Sequence, residues 1–177
     1  MAPIAVLDKI PDGDLAYIDE CGALRKVDIY KLGFKKKIVI FCLPGAFTPI
    51  CSLEHVPGYL AKGHLLHEKG VDAIICLSVN DPFVMREWAK TYSSSNRDMT
   101  TNKSIVRFLA DGSGFYTKAL GMEHDLNRQQ MGIRSRRYSL LVDDLVVKVA
   151  NVEQVEGVFE VSTAEQMLNA LKSFSKS

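Results

Sequence analysis

Ile38-Val-Ile-Phe-Cys-Leu43, running into Pro44-Gly-Ala-Phe-Thr-Pro-Ile-Cys51-Ser52 and followed further on by Ala73-Ile-Ile-Cys-Leu-Ser-Val79, decides the fold. The first run is apolar without alternation, the pattern of a strand covered on both faces. Pro44, Gly45 and Pro49 break it. From Ser52 to about Glu68, apolar residues return at helical spacing through Leu53, Val56, Leu60 and Leu65, and Gly70 closes the segment before the second apolar run. Strand, helix and strand in that order predict a βαβ unit with a right-handed crossover. Pro57-Gly58 inside the helical stretch predicts a bend, because proline removes an interior donor and crowds the preceding turn.

Working outward, Asp14 to Ile18 and Ala23 to Val27 alternate around Asp19-Glu-Cys-Gly22 and predict a hairpin. Asn80-Asp81-Pro82 offers a cap and a first-turn proline to a helix carrying Phe83, Val84, Trp88 and Tyr92 at helical spacing. Residues Ser93 to Asn102 are polar and aperiodic and predict a mobile surface loop. Ile105 to Ala110 reads as a strand, Phe115 to Leu120 as a short helix, and Tyr138 to Val142 with Val146 to Ala150 as a second hairpin across Asp143-Asp144-Leu145. Ser162-x-x-Glu165 has the form of a capping box for an amphipathic helix from Thr163 to about Phe174. The alternation predicts an α/β protein with a mixed central sheet flanked by helices.

The chain has 177 residues, enough for one domain with a substantial core, and one domain spanning 1–177 is the expectation. Its 22 Lys and Arg against 21 Asp and Glu leave no global field to recruit nucleic acid or an anionic membrane. No apolar run approaches membrane-spanning length, and the start of the chain has neither a secretory nor a transit composition, so the expected setting is cytoplasmic. Cys21, Cys42, Cys51 and Cys76 include no CxxC pair that would suggest zinc. Cys42, within the apolar run, reads as a small core residue, and Cys21 beside Gly22 as a bystander in a turn.

Cys51 reads differently, because it falls where a helix begins just beyond a strand. Unpaired amides and the positive dipole end stabilise an anion there. Lowering a thiol pKa from about 8.5 to about 6 raises the thiolate fraction at neutral pH about thirtyfold. Thr48, three residues earlier, can accept from an oxygen ligand or donate to the thiolate, and Pro44 and Pro49 restrict the loop and exclude water. Each residue also has a plainer reading taken alone: Thr48 as a loop cap, Cys51 as an inert thiol, Arg137 as one of a solvated basic run with Arg134 and Arg136. His55, one turn beyond Cys51, reads as a base, a metal ligand or a packed residue. His64, His67 and His124 form no convincing ligand set.

The combination is more specific than its parts. Pro44, Thr48 and Cys51 meet the pattern Pro-x-x-x-Thr-x-x-Cys, and the fuller string through Ser52 with His55-Val-Pro-Gly-Tyr59 resembles the type II, peroxiredoxin-5-like branch of the peroxiredoxins. Met1-Ala-Pro-Ile4 resembles plant cytosolic members. The resemblance continues through Ser78–Met85, Leu109–Gly112, Arg134-Ser-Arg-Arg-Tyr138 and Val147–Asn151, nearly the whole chain. Ile50, where many relatives carry a smaller or polar residue, and the longer Ser93–Asn102 loop depart from the pattern.

The resemblance implies a thioredoxin-like fold and a thiol-dependent peroxidase acting on hydrogen peroxide and alkyl hydroperoxides, without metal, haem or flavin. It implies Cys51 as the thiol that attacks the peroxide, Arg137 as the cation that reaches it, and Cys76 as the thiol that captures the sulfenic acid before further oxidation. It also implies glutaredoxin with glutathione, or thioredoxin, as reductant, and a homodimer. Cys76 lies in a run read as a buried strand while Cys51 lies beyond the end of its neighbour, and a disulfide needs Cα atoms within about 7 Å. Local unwinding around Cys51 is therefore expected before the two thiols pair. Two other readings remain: a peroxide-sensing switch whose Cys51 loop binds a partner protein, and a Cys/His acyl-transfer enzyme with His55 as base.

Overall fold

The structure is a computed structural model, which describes residues 2–99 and 103–174. In chain order its elements are β1 Asp14–Ile18, β2 Leu24–Asp28, α1 Ile29–Gly33, β3 Lys37–Leu43, a widened π turn Cys51–His55 running into α2 Val56–Glu68, β4 Ala73–Ser78, α3 Pro82–Lys90 and β5 Arg107–Ala110. Then follow α4 Phe115–Ala119, β6 Glu123–Leu126, β7 Gly132–Ser135, β8 Tyr138–Asp143, β9 Val146–Val152 and α5 Ala164–Phe174. Seven strands form one sheet in the order β2-β1-β5-β4-β3-β8-β9, with β5, β4 and β3 parallel and the outer pairings antiparallel. This is the mixed thioredoxin-like sheet, with β3–α2–β4 at its centre.

The continuous apolar runs of β3 and β4 follow from cover on both faces. Val39, Phe41, Leu43, Ile74 and Cys76 point into a core closed by α2, α3 and α5 through Val56, Tyr59, Trp88 and Met167. Ile38, Ile40, Cys42, Ile75 and Leu77 point into the opposite core with Ile10, Ile29, Tyr116 and Met122. Gly63 lets α2 approach Ile105 in the first of these cores, since a Cβ there would clash with Ile105 Cγ2.

Several local expectations shift. The irregularity foreseen at Pro57-Gly58 lies one turn earlier, at Cys51–His55, where the Val56 amide donates to the Cys51 carbonyl. Pro57 has no amide proton for the Leu53 carbonyl, and the turn before it widens. The extra residue in that turn rotates the apolar face, so α2 buries Val56, Tyr59, Leu60, Gly63 and Leu66, while Leu53 is 75% exposed. On α3 the buried residues are Met85 and Trp88, and Phe83 points outward.

The capping box is also displaced. Thr163 Oγ1 takes the Gln166 amide at 3.2 Å, because the Ser162 hydroxyl is committed to Glu153 and Glu165 pairs with Lys62. The 93–99 part of the foreseen mobile loop is a hydrogen-bonded turn, held by Asn96, whose amide side chain takes the Val106 N–H at 2.8 Å and donates to the Val106 carbonyl at 2.9 Å. Residues 100–102, and Met1 of the N-terminal match, lie outside the described residues. Among the described residues the hairpin β6–β7 is the one pair of strands not foreseen, its strands being four residues each with little alternation.

Among the described residues no helix is long and apolar enough to cross a membrane.

Candidate active site

Cys51 is fully buried at the mouth of the central βαβ unit. The chain leaves β3 at Leu43, turns through Pro44-Gly45, passes Phe47 in the left-handed region at φ 63°, and enters helix, the Ser52 amide donating to the Thr48 carbonyl at 2.9 Å. Cys51 therefore lies in the first turn, within reach of the amides that lack a helical partner. A side chain with positive φ costs about 1 kcal/mol. The strained Phe47 is 57% exposed, its ring tilted over Trp88 at 6.3 Å between centroids.

The cation comes from the far side of the sheet's centre. Arg137 precedes β8, which pairs with β3 so that Tyr138 lies opposite Cys42. That register carries the guanidinium over the end of β3, where Nη2 donates to Cys51 Sγ at 3.3 Å. Arg137 is 9% exposed, and its guanidinium lies 5.7 Å from the Phe159 ring centroid. Arg134 is no solvated bystander: its Nε donates to the Met131 carbonyl at 2.7 Å and Nη1 to the Pro44 carbonyl at 3.5 Å. Arg134 thereby braces the proline loop.

Thr48 Oγ1 donates to the Gly45 carbonyl at 2.8 Å. Its single proton is thus engaged, so of the two options open in the sequence the donor one closes and the lone pairs remain to accept. A cavity of about 280 Å³ opens beside Pro44 and Arg137, bounded also by His124, Arg136, Glu153 and Val158. The larger cavity of about 840 Å³ lies between α3 and β5 and does not include Cys51.

Cys76 is fully buried and shares the α2-side core with Cys51, on the sheet face opposite Cys42. Burial above all, then the proximity of Cys42 and Cys51, pushes its thiol well above the usual range. Burial likewise pushes Cys42 up to about 12. A thiol in that condition is a poor nucleophile until it is uncovered. Ser52, next to Cys51, is clamped from α3 and its C-terminal turn: Trp88 Nε1 donates to its hydroxyl at 3.1 Å and the Tyr92 hydroxyl to its carbonyl at 2.8 Å.

His55 is fully buried, with Nε2 3.2 Å from the Ser162 carbonyl and Nδ1 3.1 Å from Arg137 Nη1. Both ring nitrogens are occupied away from the sulfur, so His55 is not a base for Cys51 and the acyl-transfer reading loses its catalytic pair. The structure thus joins Pro44, Thr48, Cys51 and Arg137 at one locus, with Cys76 in the core beneath it. His55, Ser162, Glu153 and Arg134 belong around that locus as well. His55 carried a sequence signal in its spacing of one turn from Cys51, Arg134 in the Arg134-Ser-Arg-Arg-Tyr138 string, and Ser162 only as a helix cap; Glu153 carried none, and it and Ser162 reach the site through tertiary packing.

A strained proline loop, a helix-start cysteine and an arginine folded onto its sulfur define a redox thiol site on a thioredoxin-like sheet. The chain belongs to the redoxin family, whose model matches residues 5–168, and within it to the peroxiredoxins, the thiol-dependent peroxidases. It is 52% identical over 171 residues to "Peroxiredoxin-2B" of Arabidopsis thaliana, covering 97% of this chain and 100% of that one. It is 49% identical to "Peroxiredoxin-2E-2, chloroplastic" of Oryza sativa subsp. japonica, covering 97% and 74%. Among solved structures, reduced Prx3 in complex with hydrogen peroxide from Vibrio vulnificus superposes with a TM-score of 0.84 at 39% identity, over 95% of this chain and 99% of that one.

Proposed function

We propose that this peroxidase reduces hydrogen peroxide and small alkyl hydroperoxides through Cys51. The observation that carries the reading is the 3.3 Å contact from Arg137 Nη2 to Cys51 Sγ, beside a Thr48 hydroxyl whose lone pairs are free to accept. The Cys51 thiolate attacks one peroxide oxygen; the S–O bond forms as the O–O bond breaks, and the departing oxygen leaves with a proton as water or an alcohol. The Thr48 oxygen accepts from the bound peroxide's hydrogen, and the Arg137 fork holds the anionic sulfur and then the charge developing on the departing oxygen. Pro44 narrows the loop and keeps water out. No prosthetic group enters these steps.

The sulfenic acid on Cys51 is then attacked by a thiolate, expelling water and forming a disulfide, which an external dithiol or glutathione reduces with two electrons. Cys76 is the proposed internal partner. Its burial and raised pKa support a prior opening of the Cys51–His55 turn, which also breaks the hydrogen bonds from Trp88 and Tyr92 to Ser52. Glutaredoxin with glutathione, or thioredoxin, is the proposed reductant. Exposed Phe47, Leu53 and Phe83, on the loop, the widened turn and α3, support a homodimer formed through this face. A cytoplasmic setting is proposed on composition alone and is tested by fractionation.

Trp88, the only tryptophan, touches Ser52 and reports on the loop. Stopped-flow mixing of reduced protein with hydrogen peroxide should give a fast fluorescence change, absent in Cys51→Ser. Cys76→Ser should keep that phase and change only recycling. Loss of the first phase in Cys76→Ser would refute the division of labour, and a single oxidation without turnover in excess thiol would indicate a sensor instead.

A further inference from the structure

Glu153 follows β9 and is 8% exposed. Its Oε1 receives the amides of Glu160 and Val161 at 2.9 Å each, and the amide and hydroxyl of Ser162 at 2.8 Å each. Its own amide donates to the Arg137 carbonyl at 3.0 Å. Glu153 therefore joins the backbone of Arg137, through its amide, to the segment 160–162, through its carboxylate. The Ser162 carbonyl accepts the Tyr59 hydroxyl at 3.1 Å and faces His55 Nε2 at 3.2 Å.

A carbonyl only accepts, so Nε2 carries the proton, and a neutral imidazole then has its lone pair on Nδ1. That lone pair meets Arg137 Nη1, a group that only donates, at 3.1 Å. A protonated ring would set two N–H groups and two positive charges against each other. Burial first, and the Arg137 charge second, hold His55 well below its ordinary pKa. The titratable groups facing it are Arg137 and, from α2, Tyr59; Phe41 of β3 and Phe159 complete its aromatic surroundings.

None of the ion pairs among the described residues involves Arg137. A carboxylate in the place of His55 would orient the guanidinium and also cancel its charge. A neutral acceptor orients it and leaves the charge for sulfur and oxygen, while the anion needed to organise the site stands one link back, on backbone amides. Resting on the reading of Cys51 and Arg137 above, we infer that Glu153 and His55 are positioning residues of the peroxidase reaction. Glu153 fixes the Ser162 carbonyl, that carbonyl fixes the imidazole tautomer, and the Nδ1 lone pair holds Nη1 so that Nη2 is aimed at Cys51 Sγ.

The test is single-turnover oxidation of the reduced full chain by hydrogen peroxide, read by Trp88 fluorescence, together with thiolate absorbance at 240 nm at pH 7 and the melting temperature. His55→Phe keeps the aromatic packing and removes the acceptor, and should lower both the rate constant, by about tenfold or more, and the thiolate absorbance. His55→Gln offers Nη1 an amide oxygen and should recover most of both. Glu153→Ala should behave as His55→Phe, with Glu153→Gln between it and wild type. A His55→Phe rate within about twofold of wild type overturns the inference, as does an equal loss in His55→Phe and His55→Gln with unchanged thiolate absorbance. Should His55→Phe fail to fold, Glu153→Ala against Glu153→Gln decides by the same two readouts. An unchanged rate in Arg137→Met would instead refute the underlying reading of the site, whereas slow Arg137→Met with fast His55→Phe refutes only the positioning.

Discussion

Arg137 and Cys51, 86 positions apart in the chain, meet at 3.3 Å between Nη2 and Sγ, and the same guanidinium offers Nη1 to His55 Nδ1 at 3.1 Å. The two-pronged contact needs a planar fork. Arg137→Lys supplies one charge and cannot hold both partners in one geometry. Single-turnover oxidation should slow by about tenfold in Arg137→Lys and about a hundredfold in Arg137→Met, the scale of losing an oriented donor at developing charge. Equal rates in Arg137→Lys and wild type would show that charge alone suffices.

Thr48 is nearly isosteric with valine, and Thr48→Val isolates the hydroxyl. It removes the acceptor for the peroxide and leaves the Gly45 carbonyl without the 2.8 Å bond it receives. The expected loss is about tenfold to a hundredfold in the peroxide rate constant, with Thr48→Ser close to wild type. Stopped-flow fluorescence measures both, and a fast Thr48→Val would remove this residue from the mechanism.

The clamp on Ser52 sets how readily the Cys51 turn opens. Tyr92→Phe deletes the 2.8 Å hydrogen bond to the Ser52 carbonyl and little else. A bond of this kind is worth about 1 kcal/mol, so opening should become about fivefold more favourable. Formation of the Cys51–Cys76 disulfide after one equivalent of peroxide, followed by mass spectrometry of quenched samples, should accelerate accordingly. A slower disulfide in Tyr92→Phe would contradict unwinding as the route.

His55 also makes stability depend on pH. Burial, then the Arg137 charge, places its folded pKa well below the 6.5 of a free imidazole. Between those two values the unfolded chain binds more protons than the folded one, so stability falls as pH drops below about 6.5, by up to about 1.4 kcal/mol per unit, and is unaffected by this group above it. Calorimetry should show a smaller loss of melting temperature between pH 7.5 and 5.5 in His55→Gln than in wild type. Identical slopes would mean that His55 is not held neutral.

Strand and helix periodicity, the turn residues and the Pro44-Thr48-Cys51 spacing are local properties, and they determined the α/β order, the β3–α2–β4 centre and the thiol at a helix start. Their failures are local too. The capping box went to Thr163 because the buried Glu153 carboxylate, nine residues earlier, claimed Ser162, and the apolar face of α2 moved because Pro57 widened the turn before it. What no local pattern holds is the pairing of β8 with β3 that carries Arg137 over the sulfur, or the Glu153 carboxylate that gathers residues 160–162 behind His55. Those arrangements are hydrogen bonds between residues brought together only when the sheet closes and burial makes an unpaired polar group too costly.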